Sequence, residues 1–295
     1  MTRRGFIKGL LAFVLAGLLS ALYGFFIEPA VRLRVKKWRV AHPDWPEDQP
    51  LKIVAISDLH VGEPIIDLDR VRQVVRRTNA LAPDVIVLLG DYAASHRFVT
   101  EPVSMEDVAP ILAELDAKLG VYAILGNHDW WDDLDAQRRG GGPNHYGELL
   151  KANGIPVLSN EALQLPGTEI WIAGLEDQLA VRGLTGRWEG LDDLPATLAQ
   201  IPEDAPAILL AHEPDIFPQV PDRIALTLSG HTHGGQVRLF GWSPIVPSRY
   251  GNRYAYGHVQ EEGKSLVVSG GIGCSIAPVR FGVVPEVTEI SLSKA

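Results

Sequence analysis

Ala82-Pro83-Asp84-Val85-Ile86-Val87-Leu88-Leu89-Gly90-Asp91 is the stretch that decides how this chain folds. Opened by a proline and closed by Gly-Asp, its apolar run has the length of one strand. The unbroken β-branched and leucine residues predict burial on both faces. Strands of that kind belong to α/β sheets, where ligands collect beyond the carboxyl ends of the strands. Gly90 permits a sharp turn there and presents Asp91 as a carboxylate at the rim. A lone Gly-Asp is usually a solvated turn, so weight falls on how many other apolar runs end the same way.

Upstream, Leu51 to Ser57 predicts a first strand that runs into Asp58-Leu59-His60. Residues two apart in an extended segment point the same way, so Asp58 and His60 converge. Asp67 to Leu81 has helical spacing in Leu68, Val71, Val74 and Val75. Strand, helix, strand makes a βαβ unit with parallel strands, which brings Asp58, His60 and Asp91 to one rim. Downstream, Glu106 to Leu119 predicts a helix, and Val121 to Leu125 a strand ending in Gly126-Asn127-His128-Asp129. Ala207 to Ala211 ends at His212, and Ile224 to Ser229 ends in Gly230-His231-Thr232-His233, again with two imidazoles two apart. Further strands are expected at Ile155 to Leu158, Glu169 to Ala173, Val237 to Phe240, Arg253 to Val259, Leu266 to Ser269 and Glu286 to Leu292. Trp130 to Gly147, with two tryptophans and a Gly140-Gly141-Gly142 run, reads as a loop: either a mobile cover over the site or a surface insertion.

The 295 residues are 46% hydrophobic, ample for a large core. Residues 1–40 carry eight Lys/Arg against Glu28 alone, a balance of +7 that leaves −16 on the rest of a chain whose total is −9. That distribution excludes a generally basic, nucleic-acid-binding surface. Cys274 is the sole cysteine, which rules out an intrachain disulfide and a cysteine-based zinc cluster. Gly9 to Ile27 is free of charge and long enough to span a bilayer, so residues 9–27 read as an uncleaved transmembrane anchor. Residues 1–8, with Arg3, Arg4, Phe6 and Lys8, resemble a twin-arginine export signal. Against export stand Arg32, Arg34, Lys36, Lys37 and Arg39, which the positive-inside rule would keep in the cytoplasm. Residues 28–50, basic and then proline-rich, read as a tether, and 51–295 as the folded domain.

Five strand ends supply Asp58, His60, Asp91, Asn127, His212, His231 and His233. Two Asp, one Asn and four His are too many ligands for one ion and suit two, with a carboxylate between them; Asp91 is assigned that bridge. Asp58-x-His60, Gly90-Asp91, Gly126-Asn127-His128-Asp129, His212 and Gly230-His231-x-His233 together resemble the signature of the calcineurin-like metallophosphoesterase superfamily. Gly234-Gly235-Gln236, Pro247 to Gly251 and Pro278-Val279-Arg280-Phe281 extend the resemblance to a bacterial membrane-associated subgroup. It implies a four-layer α/β/β/α sandwich of two mixed sheets, with Asp58, His60, Asp91 and His233 on one metal and Asp91, Asn127, His212 and His231 on the other. His128 corresponds to the family's catalytic histidine.

The implied reaction is attack on phosphorus by hydroxide generated between the two ions, with His128 stabilising charge or protonating the leaving oxygen. Asp129 either orients His128 or is a plain loop acid. Arg249, Arg253 and Arg280 are candidates for gripping phosphate, and Trp130 for an apolar part of the substrate. Ligands without thiolate admit Mn, Fe or Zn. Loading in the cytoplasm before twin-arginine export favours Mn, which would avoid competition from Zn and Cu outside. The subgroup brings in lipid-linked phosphoesters such as UDP-2,3-diacylglucosamine of the lipid A pathway, a cytoplasmic substrate. The export signal instead faces the domain outward. An idle membrane-bound scaffold on the same fold is the alternative, although a scaffold would be free to lose ligands and this chain keeps them all.

Overall fold

The computed structural model describes residues 2–295. An apolar helical segment, Arg3–Val31, comes first; it is long enough to cross a bilayer and its side chains are almost all exposed. Then come β1 (Arg34–His42), β2 (Leu51–Ile56), β3 (Val85–Leu88) and β4 (Val121–Ala123). The second sheet takes β5 (Glu161–Gln164), β6 (Trp171–Gly174), β7 (Ala207–Leu210), β8 (Ile224–Ser229), β9 (Gly257–Glu261) and β10 (Lys264–Val268), before β11 (Glu286–Lys294) returns to the first. The strand orders are β1-β11-β2-β3-β4 and β9-β10-β8-β7-β6-β5. Both sheets are mixed: β2, β3 and β4 run parallel, as do β6, β7, β8 and β10, while β11 opposes β2.

Burial on both faces of β3 follows from its alternation. Val85 and Val87 enter an apolar layer shared with Ile208, Leu210, Leu226 and Leu228 of the other sheet. Ile86 and Leu88 face the opposite way, onto Val71, Val74, Val108 and Leu112 of the covering helices. The far face of the second sheet, Ala207 and Leu209, is covered by Leu194 and Ile216. Each such aliphatic side chain contributes roughly 1.5–3 kcal/mol by leaving water. The helix Leu68–Asn79 starts where the Asp67 side chain accepts from Arg70 N, and ends with Arg76 and Arg77 against its negative pole.

Several expectations are corrected. Residues 28–50 are no free tether: β1 runs parallel to β11 from Arg34↔Glu286 to His42↔Lys294. Its basic residues hid the alternation, because Arg34 and Lys37 are neutralised at 2.7 and 2.9 Å by Glu286 and Glu289 of the neighbouring strand. Trp45 then buries its ring, with Nε1 donating to Gln49 O. The helix expected over Glu106 to Leu119 is confined to Met105–Leu112, after which Leu119 N donates to Asp84 O and draws the chain into the sheet. Ile155 to Leu158 and Val237 to Phe240 make only isolated bridges, at Val157 in the first and at Val237 and Leu239 in the second. Trp130 to Gly147 is neither mobile cover nor loose insertion in form. It carries the helix Leu134–Arg139, capped by Asp133, and the Asn144 amide donates to Asp129 O.

Candidate metal centre

Every strand that was expected to deliver a ligand stops just short of it, and after three of them the chain turns sharply. Asp58, His60, Asp91, His231 and His233 all have positive φ, and they make up half of the ten non-glycine residues that do so among the described residues. A side chain in that region costs on the order of 1–3 kcal/mol, so strain is concentrated where ligands are presented. Two glycines are obligatory here. Gly90 sits at φ +88° against the backbone of Gly126, and a Cβ on Gly126 would collide with Asp91 Oδ1 and lie 2.7 Å from His212 Cε1. Gly126→Ala is therefore expected to destabilise by about 1–3 kcal/mol, as overpacking does. A lower unfolding temperature together with lost metal would be seen in the detergent-solubilised protein, and an unchanged metal content would refute this account.

The turns bring all seven predicted ligands together. Asp58, His60, Asp91 and His233 form one group and Asp91, His212 and His231 another, each with ligand atoms within 4.8 Å of one another. Asn127 Oδ1 lies 2.8 Å from His231 Nδ1. Asp91 Oδ2 stands between the groups, 3.4 Å from His60 Nε2 and 3.2 Å from His212 Nε2. All seven residues are buried.

The donor set fits divalent cations on its own chemistry. His212 Nδ1 is 2.6 Å from Leu89 O, so that nitrogen carries the proton and donates. Nε2 then points its lone pair at the Asp91 carboxylate and has no hydrogen-bond partner. Two lone pairs facing each other in a buried site call for positive charge between them. His60 and His233 bring their Nε2 atoms within 3.1 Å of each other, while His233 Nδ1 faces the Arg280 guanidinium at 3.1 Å. The same demand shows in the acid–base balance. Burial opposes a charged His212, yet Asp91 raises its pKa well above the ordinary value. Burial likewise opposes the Asp91 carboxylate, and His212 and His128 nevertheless hold it well below the ordinary range.

His128 lies at the mouth. Its Nδ1 is 3.2 Å from Ser95 Oγ and its Nε2 3.3 Å from Ser275 Oγ, and burial pulls its pKa down to about 4. Trp131 packs against this ring at 5.0 Å and stacks on Trp188 at 4.4 Å. Asp129 makes no contact with the His128 ring. Instead it accepts from Asp91 N at 2.8 Å, Tyr92 N at 2.9 Å and Gly126 N at 2.9 Å, which clamps two ligand-bearing turns together. Burial, and then the Asp91 charge, push its carboxyl up to about 7 against the pull of those donors.

The substrate candidates are placed differently from expectation. Trp130 is buried with Nε1 on Glu176, so Trp131 is the tryptophan that faces the site. Arg280 is wholly buried, donating to the carbonyls of Gly270, Gly273 and Val283, with its guanidinium 3.1 Å from His233 Nδ1. It braces a ligand-bearing loop and has no hand free for phosphate. Arg249 and Arg253 are surface residues paired with Asp215 and Glu261. Glu213 and Asp177 were not singled out in the sequence; they form a buried carboxyl pair behind His212, and Glu213 Oε1 lies 3.8 Å from His231 Nδ1. Burial and then the Glu213 charge raise the Asp177 pKa well above the carboxylate range.

Residues 51–235 match the calcineurin-like phosphoesterase family. This chain belongs to that family. The uncharacterized metallophosphoesterase YkuE of Bacillus subtilis is 32% identical over 99% of this chain and 98% of its own. Phosphodiesterase YaeI of Escherichia coli is 30% identical over 82% of each chain. A transmembrane protein with metallophosphoesterase domain from Danio rerio is 32% identical over 83% of this chain and 54% of its own. The protein is accordingly a metallophosphoesterase, a hydrolase of phosphoester bonds whose ligand cluster takes two divalent ions.

Proposed function

We propose that this protein is a phosphodiesterase working at a membrane surface, anchored by its N-terminal helix, with its domain on the outer side and a lipid-linked phosphoester among its substrates. The diester preference is supported chiefly by the extended likeness to a chain called a phosphodiesterase, with 30% identity over 82% of both sequences. Asp58, His60, Asp91 and His233 would hold one divalent ion, and Asp91, Asn127, His212 and His231 the other. Ions so held supply Lewis acidity, neutralising phosphoryl charge and making water nucleophilic near neutral pH. The chain's own contribution is orientation and proton placement. Leu89 O fixes the His212 tautomer and Asp129 fixes the turns that carry Asp91 and Asn127. His128, neutral at pH 7 with its pKa held low by burial, presents a ring N–H at the mouth for a phosphoryl or leaving oxygen. Trp131 and Trp188 give that mouth one apolar wall.

Metal-loaded protein in detergent is expected to hydrolyse bis(4-nitrophenyl) phosphate faster than 4-nitrophenyl phosphate, to lose activity to chelator and to regain it with Mn²⁺. Hydrolysis of the monoester alone would sink the diesterase assignment. His128→Ala is expected to lower kcat by about 10²–10⁴-fold, the usual contribution of a positioned acid–base group, with metal content unchanged. Metal loss in that variant would instead make His128 a structural support.

A further inference from the structure

The apolar helical segment is fastened to the catalytic domain beside the site mouth at Tyr23 and Gly24, two turns before it ends. Gly24 O accepts from Arg280 N at 2.9 Å, and a Cβ on Gly24 would press on Arg280 O at 3.2 Å. The Tyr23 ring meets Phe281 edge-on at 5.9 Å, and Arg32 donates to the Tyr23 hydroxyl. Phe281 in turn bridges Val237, from which a tight hairpin projects, closed by Leu239 N to Trp242 O and Trp242 N to Leu239 O. Phe240 and Gly241 form its tip, both with positive φ.

That tip contradicts ordinary turn chemistry. Two central residues with positive φ call for Asn, Asp or Gly, and a side chain with a bulky ring is disfavoured there. Here Phe240 occupies the first of them and is fully exposed at 107%, flanked by Leu239 at 50% and Trp242 at 59%. Ile245 and Ile276 add exposed apolar surface at 70% and 71%. Ile276 directly follows Ser275, whose hydroxyl touches His128, while Gln236 at the hairpin base donates to Ala277 O and Val279 O. The exposed apolar residues, the end of the helix and the site mouth therefore share one patch of the molecule. Three residues of extended chain put the hairpin tip within about 10 Å of Phe281 and so of the helix end.

We propose that Leu239, Phe240, Trp242, Ile245 and Ile276 form a rim that enters the lipid leaflet at which the N-terminal helix ends. The rim would hold the dimetal mouth against phosphoesters at headgroup level. Aromatic residues on a short projecting turn suit the acyl–headgroup boundary, and the exposed Arg32 beside them suits anionic lipid. This inference rests on the membrane placement proposed above.

The test places a nitroxide on Phe240→Cys in the full chain, reconstituted in vesicles of phosphatidylethanolamine and phosphatidylglycerol. Cys274, the sole native cysteine, is buried and stays unlabelled. Labels at Leu15→Cys in the helix and Leu184→Cys on an exposed loop are the references. The expected result is a label at 240 that oxygen reaches far better than a water-soluble nickel chelate, as at 15 and opposite to 184. In the Phe240→Asp, Trp242→Asp background a label at Ile245→Cys is expected to shift towards water, while hydrolysis of soluble bis(4-nitrophenyl) phosphate stays unchanged. A label at 240 as wet as at 184, with 15 in lipid, overturns the rim and leaves the anchor intact. A wet label at 15 overturns both. Spin–spin broadening at 240 would mean that a second copy of the chain covers the rim, which also overturns the proposal.

Discussion

Asp91→Asn is expected to abolish phosphoester hydrolysis, lowering kcat/KM by more than about 10³-fold, or about 4 kcal/mol of transition-state stabilisation. One Asp91 oxygen stands 3.2–3.4 Å from His212 and His60, and so serves both groups of ligands. The other accepts from His128 N at 2.9 Å and fixes the turn that carries the catalytic imidazole. An amide fills the same volume but removes the charge that both clusters share. It also turns an N–H either towards the His128 amide, itself a donor, or into the space between the ring nitrogens where the ions would bind. Elemental analysis should show both ions depleted, whereas His128→Ala should keep them. If Asp91→Asn retained two ions and most of its activity, the bridging role would be wrong and the two sites would not share a ligand.

The site was legible in the sequence because its ligands sit at the ends of apolar runs. Val85 to Leu89 and Ile224 to Ser229 are strands by composition, and the residues just beyond them had to emerge at a rim. Side chains that act through the backbone carry no such mark. Asp129 reads as one half of a His-Asp pair, yet its three bonds all go to main-chain N–H groups of turns remote in sequence or folded back on it. Arg280 resembles a phosphate grip in a run of loop residues, and only the folded carbonyls of Gly270, Gly273 and Val283 reveal its structural use. Trp130 and Trp131 are neighbours whose side chains leave a short helix in different directions, one onto Glu176 and the other onto His128. Ser95 and Ser275, which flank His128, lie 33 and 147 residues away from it. No local pattern distinguishes such serines. The strand β1 was missed for an electrostatic reason: its charges looked solvated until Glu286 and Glu289 lay beside them.

The pairing of those charges also bears on which side of the membrane the domain occupies, the second prediction of large effect. The basic residues after the helix outnumber those before it, which by simple counting retains the domain in the cytoplasm. In the folded protein, however, Arg34 is held by Glu286 and Tyr256, and Lys37 by Glu289. Lys36 lies over the Trp38 ring at 4.2 Å. A pathway that translocates the domain already folded would therefore meet two of these five cations neutralised, with Arg32, Lys36 and Arg39 still without a carboxylate partner among the described residues. β1 is moreover an edge strand of the catalytic sheet, so the chain just after the helix is already tied to β11 once the domain has folded. Arg3 and Arg4, in the first turn of a helix capped by Thr2, remain exposed and available to an export receptor. In intact cells the wild-type domain is expected to be digested by external protease. Arg3→Lys with Arg4→Lys should leave it protected and inside, with the total amount of protein unchanged. If the wild-type domain is itself protected until the cells are broken open, the outward placement fails. A cytoplasmic lipid-linked pyrophosphate such as UDP-2,3-diacylglucosamine would then become the substrate to assay first.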